Sequence, residues 1–199
     1  MTDLKTLRDV AGLGQTPSAL RQSALVMIDC QNTYRQGLMQ LDGVEAALDE
    51  AQRLLERARS LGIPIIHIQH DAGPGSPYDI REELGQIADK VKPRPGEPLI
   101  VKNYPNSFVQ TDLHERLQKL GISNLVLAGF MTHMCVNSTA RGAFNLGYRP
   151  TVVAAATATR ALPTPQGGVV PAAALQEASL ATLADLFAVI VPSAAALAE

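Results

Sequence analysis

Six short apolar runs, almost unbroken by polar residues, recur along the chain: ALVMID (24–29), IPIIHIQ (63–69), LIVK (99–102), NLVLAGF (124–130), RPTVVAAA (149–156) and FAVIVPS (187–193). Each has the length of a strand, and none alternates apolar with polar as a half-exposed strand would. Continuous runs of this kind belong to parallel sheets covered on both faces. Between them lie stretches with helical spacing. From Val44 to Ser60, Ala47, Leu48, Ala51, Leu54, Leu55 and Ala58 share one side, while Glu45, Glu50, Arg53 and Glu56 lie elsewhere, and Gly62 and Pro64 end the segment. Thr111 to Leu120 and Gln176 to Phe187 repeat the pattern. Strand and helix alternating in this way predict right-handed crossovers and a three-layer α/β/α sandwich, an α/β fold with a six-stranded, parallel, doubly wound sheet. A chain of 199 residues is expected to form it as a single domain, residues 1–199. The longest loop-like region, residues 71–98, is rich in proline and glycine around one expected helical patch, Tyr78 to Ala88. Loops of that length are often lids.

Composition narrows the range of partners. Formal net charge is −2, and no lysine and arginine stripe suggests a nucleic-acid partner. Aromatic residues are only 4% and tryptophan is absent, so a platform for stacking bases is not expected. No apolar run is long enough to cross a bilayer, and the first residues do not read as a secretory signal. The two cysteines, Cys30 and Cys135, read as reduced thiols in a cytoplasmic protein.

The chemistry concentrates where apolar runs end. Asp29 ends the first run, Lys102 ends the third, and Cys135 follows the fourth after a glycine and a short turn, just ahead of the helix-forming stretch NSTARGAFNLGY. Open α/β sheets place their sites at the carboxyl ends of their strands. A cysteine at a helix N-terminus can have its pKa lowered from about 8.5 into the range ~3.5–7.5, so an activated thiolate is one expectation for Cys135; a small buried apolar residue is the other. An aspartate after VMI is out of place in a core unless it is paired or functional. Together the three suggest a nucleophilic thiol, a carboxylate base and an ammonium that holds their charges in place. Backbone N–H groups of the turn before Cys135 could form an oxyanion hole.

The segments ALVMIDCQNTY, VKNYPNSF and GFMTHMCVNSTARGAFNLGY, in this order and spacing, resemble the isochorismatase-like cysteine hydrolases, a superfamily that includes nicotinamidases, N-carbamoylsarcosine amidohydrolases and streptothricin hydrolases. The resemblance runs from about residue 23 to the C-terminus, and GFMTHMCVNSTAR is most similar to the streptothricin hydrolase-like branch. It implies a catalytic triad of Asp29, Lys102 and Cys135, and a cis peptide near Phe130–Met131. It also implies an oxyanion hole made of the backbone N–H groups of Met131 and Cys135. Asp29 would take the thiol proton and later activate water, Lys102 would stabilise both anions, and Cys135 would form a thioester.

Other residues are assigned supporting roles. Gln31 and Asn32 are candidates to orient the loop or contact substrate; Tyr34, Tyr104 and Phe108 are candidate pocket walls. Thr132 is expected to support its turn through a hydroxyl bond to local backbone. His133, two residues before Cys135, is a candidate to line the pocket, and Arg160 to contact an anionic substrate or a neighbouring subunit. Cys30 is expected on the opposite face from Asp29 as a buried bystander. His114 falls among Asp112, Glu115 and Arg116, which reads as a solvated face. His67 and His70 are three apart on a strand and point to opposite faces; Gly73 stands where the metal-binding members of the superfamily would carry a histidine two residues after Asp71. No metal and no other cofactor are therefore expected.

The leading expectation from this resemblance is a cysteine hydrolase that cleaves a small amide, lactam or related C–N bond. Two rival readings remain open at this stage: vinyl-ether hydrolysis of isochorismate with Asp29 as acid, and a catalytically idle binding or redox-sensing protein. The expected partners are a small-molecule substrate and further copies of the chain, as a dimer or tetramer.

Overall fold

The structure is a computed structural model, and it describes residues 4–199. Six strands form one parallel sheet: β1 (Ser23–Ile28), β2 (Ile65–His70), β3 (Leu99–Lys102), β4 (Asn124–Phe130), β5 (Arg149–Ala158) and β8 (Val189–Val191). Their order across the sheet is β3-β2-β1-β4-β5-β8, so the winding reverses between β1 and β4. All six apolar runs of the sequence appear as these strands. On one face lies the long helix α2 (Val44–Leu61), whose buried side carries Leu48, Ala51, Leu54, Leu55 and Ala58. The other face is covered by α3 (Leu113–Lys119), α4 (Asn137–Asn145) and α5 (Ala172–Asp185), which pack Leu113, Leu117, Ala140, Ala143 and Leu183 against Val26, Ile28, Leu125 and Leu127. The expected three-layer sandwich is therefore present.

Four local expectations change. The patch from Tyr78 to Ala88 is not an α-helix but a winding loop with short 3-10 turns at Glu83–Gly85 and Asp89–Val91. Proline and glycine flank it too closely for a longer helix to nucleate. Strand β3 is an edge strand, and its Leu99 and Val101 are half exposed, so it is covered on one face only. Glu50 lies on the buried side of α2, where its carboxylate accepts the Ala194 N–H at 2.6 Å and pairs with Arg53. Helix α5 starts four residues early, at Ala172, directly after Pro171. The sequence reading also passed over a one-turn helix, α1 (Leu7–Val10), and a small antiparallel hairpin of β6 (Leu162–Pro163) and β7 (Val169–Val170).

Candidate active site

The reversal between β1 and β4 opens a crevice beyond the carboxyl ends of the two central strands. Asp29 is the first residue past β1, and its backbone is left-handed, φ 48°. That region is uncommon for a residue other than glycine and favours aspartate and asparagine among the rest. Beside it Gly129 has φ 121°, and a Cβ there would lie 1.9 Å from the Ile28 carbonyl oxygen. Only glycine lets β4 come this close to the turn that carries Asp29. Past Gly129 the Phe130–Met131 peptide is cis. The chain then makes a wide π-type turn over Thr132–Val136, with Met134 N–H and Val136 N–H both donating to the Met131 carbonyl, and runs straight into α4. Cys135 sits in this turn, not in the first turn of α4 itself.

Lys102 closes β3, two strands from β1, a separation of roughly 9–10 Å. Its four-carbon stem and the Asp29 side chain together bridge that span and bring the ammonium to the crevice. Lys102 Nζ lies 2.7 Å from Asp29 Oδ2 as a close ion pair with both side chains fully buried. It also donates to Cys135 Sγ at 3.4 Å. The three residues predicted to act together are thus brought to one point, almost sealed from solvent. Asp29 Oδ1 has no partner within the protein.

The electrostatics correct one expectation. Burial pushes the Cys135 thiol pKa up, the negative charge of Asp29 raises it further, and Lys102 offsets only part of this. Burial and the nearby carboxylate thus oppose the activated thiolate that a position just ahead of a helix suggests. The Tyr34 phenol is also held well above its usual range, by burial and by Asp29.

The remaining candidates divide. Tyr34 is buried edge-on against Phe130 and Tyr78, with ring centroids 5.7 and 5.8 Å away, and forms a wall beside the triad. Gln31 is buried and fully engaged: its amide donates to the carbonyls of His70 (2.9 Å) and Gly85 (2.7 Å) and accepts the His70 N–H (2.9 Å). With no polar atom to spare, it is a staple for the loop and not a substrate contact. Asn32 donates to the Glu83 carbonyl and holds the same loop. Phe108 stacks on Tyr148, at 5.7 Å, among the residues that cover α3 and α4, and Tyr104 is 43% exposed; neither stands with the aromatic residues around the triad. Thr132 is completely buried, but its hydroxyl has no partner within the protein, so the expected bond to local backbone is not made. His133 is half-buried, bonds Thr159 Oγ1 through Nδ1, and has its pKa lowered by burial and by the charge of Arg160. Arg160 is half-buried and its Nε lacks a partner. Cys30 is buried in the opposite core layer from Cys135. His114 is not solvated as expected: its Nδ1 pairs with the Tyr148 hydroxyl at 2.8 Å.

His67 and His70 have separate fates. His67 is buried against Glu97 at 3.0 Å. His70 Nδ1 lies 3.3 Å from Lys102 Nζ, inside the site. Among the described residues, no three His, Cys, Asp or Glu side chains gather as a metal would require. Sequence reasoning passed over His70 as a partner of the triad, and also Tyr78, whose ring packs edge-on against that imidazole at 5.2 Å. Strand register was the missing signal for His70: it pairs directly with Lys102 across β2 and β3.

Residues 23–195 match the isochorismatase domain. The chain belongs to the isochorismatase family. It is 39% identical to an isochorismatase from Pseudomonas putida KT2440 whose crystal structure superimposes with a TM-score of 0.94, covering 98% of this chain and 99% of that one. It is 34% identical to the secreted isochorismatase effector Isc1 of Verticillium dahliae over 96% of this chain and 98% of the relative. Streptothricin hydrolase of Streptomyces noursei is 33% identical over 87% of this chain and 63% of its own length. The chain is therefore an isochorismatase-family hydrolase. Among the described residues, no helix is long and apolar enough to cross a membrane.

Proposed function

We propose that this hydrolase cleaves a small amide, lactam or related C–N bond by covalent catalysis at Cys135. The observation that carries this reading is the buried cluster itself, a thiol 3.4 Å from an ammonium that lies 2.7 Å from a carboxylate. Asp29 takes the thiol proton as Sγ attacks the carbonyl carbon. The C–S bond forms and the carbonyl electrons collect on oxygen, facing the backbone N–H groups of Met131 and Cys135. Collapse breaks the C–N bond, and the proton held by Asp29 passes to the departing nitrogen. Asp29 then removes a proton from water, which attacks the thioester, and the released sulfur recovers its proton. Burial and the Asp29 charge raise the thiol pKa, so proton transfer to Asp29 accompanies the attack of sulfur.

Arg160 supports an anionic group on the substrate, since its guanidinium carries a buried unpartnered Nε and acts on both Tyr78 and His133. We further propose that the protein works in the cytoplasm as a homo-oligomer. Similarity to relatives named as ureidoacrylate amidohydrolases supports hydrolysis of an amide-type bond. A raised thiol pKa also favours a second reading, in which Asp29 protonates an isochorismate enol ether and Cys135 stays neutral.

Turnover of a panel of small amides, lactams and isochorismate by wild type and Cys135→Ala separates the two. The expected result is loss of amide turnover by at least about a thousandfold in the variant. Isochorismate turnover that survives the substitution, with none on amides, would instead establish the vinyl-ether reading.

A further inference from the structure

Lys102 is enclosed, and an ammonium has three N–H bonds to satisfy. One faces the Asp29 carboxylate and one the Cys135 sulfur; the third meets His70 Nδ1 at 3.3 Å. His70 is placed for this by the sheet, because it lies opposite Lys102 in the register of β2 and β3. Its backbone is clamped on both sides by Gln31, which accepts from its N–H and donates to its carbonyl. Tyr78 holds the ring edge-on at 5.2 Å.

Resting on the thiol reading above, we propose that His70 is a positioning residue: its neutral imidazole, protonated on Nε2, accepts the third N–H of Lys102 and so fixes the ammonium against Asp29 and Cys135. Only a neutral ring with a bare Nδ1 can take that bond. The groups facing the ring agree with this state. Burial lowers the His70 pKa, and the adjacent Lys102 charge lowers it further, against opposing contributions from Asp29 and Asp71. Without the acceptor, a buried N–H would be left unmatched, and the ammonium would turn toward any water able to reach it. The sulfur would then lose part of the field that favours its anion.

Alkylation of Cys135 by iodoacetamide, followed against pH on the full chain with the modified residue assigned by peptide mass, tests this without any substrate. Asn places an oxygen near the position of Nδ1, whereas Leu fills the space and accepts nothing. His70→Leu is expected to shift the alkylation profile to higher pH and slow the reaction at pH 7 about tenfold, as a one-unit rise in thiol pKa requires. His70→Asn is expected to stay within about threefold of wild type. Superimposable profiles for wild type and His70→Leu would overturn the proposal, as would an Asn variant that falls with Leu. Should the Leu variant not fold, nitrogen chemical shifts of His70 in the wild-type protein give the answer directly. A neutral ring with its proton on Nε2 near pH 7 supports the assignment, and a proton on Nδ1 defeats it. An active Cys135→Ala variant would remove the thiol mechanism but leave both of these readouts standing, so the two failures are distinguishable.

Discussion

At the residue scale, the triad is a buried ion pair with a thiol attached, and such pairs respond unequally to losing one partner. Lys102→Met should destabilise the protein by about 3–5 kcal/mol, because the Asp29 carboxylate would remain in the interior without its counter-charge. Adding Asp29→Asn to that variant should recover part of the loss, while activity stays absent in both. Urea unfolding of the two variants checks this; a double variant less stable than Lys102→Met alone would show that the charge left behind is not what costs the stability. These three residues stood out in the sequence because each ends or follows an apolar run, at the edge where open α/β sheets place their sites. The ionisation state of Cys135 was not legible. It depends on how much water the folded walls exclude and on the Asp29 charge beside the sulfur, neither of which helix position reports.

At the element scale, the long segment after β2 is not a loosely tethered flap. The Gly85 carbonyl accepts the side-chain amides of both Gln31 and Gln69, each at 2.7 Å. Ala88 N–H donates to the Cys30 carbonyl and Asn32 N–H to the Gln86 carbonyl, so the segment is sewn to the chain just beyond β1. Gly85 itself has no room for a side chain, since a Cβ would lie 2.1 Å from the Asp79 carbonyl oxygen. Gln31→Ala should release this clamp at a cost of roughly 1–3 kcal/mol, the penalty for buried groups left unpaired. Amide exchange should quicken from Asp79 to Ala88 and remain slow in β1 and β4, which hydrogen exchange with peptide resolution would show. Uniform acceleration across the sheet would mean that Gln31 supports the fold as a whole. The sequence offered Gln31 and Asn32 as candidates to orient a loop but not their partners, because glutamine side chains carry no local pattern and these contacts span up to 54 positions. The strands and α2 were legible for the opposite reason: their apolar spacing is local.

At the scale of the whole molecule, a second charged cluster ties the edge of the sheet to α2 and the segment before β3. Arg59 holds the Glu97 carboxyl down to a pKa of about 2, against the opposing effect of burial, with further bonds from the Arg94 N–H and from His67. A carboxyl depressed in the folded state stabilises it above the unfolded pKa near 4.5 and loses that contribution as pH falls toward 2. The protein should therefore lose on the order of 2 kcal/mol from this residue between about pH 4.5 and pH 2. Glu97→Gln should already lack it at pH 7 and show a shallower decline; parallel urea midpoints for the two proteins across that range would reveal an undiminished slope if other carboxyls dominate. A second feature at this scale is the arch that follows β2. The chain from Asp71 to Glu83 is an arch with its feet set at a strand end and at the stapled Gly85, and it contributes Tyr78 to the site without contributing any member of the triad. Substitutions along such an arch would change the surroundings of Asp29, Lys102 and Cys135 while leaving those three residues in place. Divergence in what these proteins consume need not pass through variants that consume nothing.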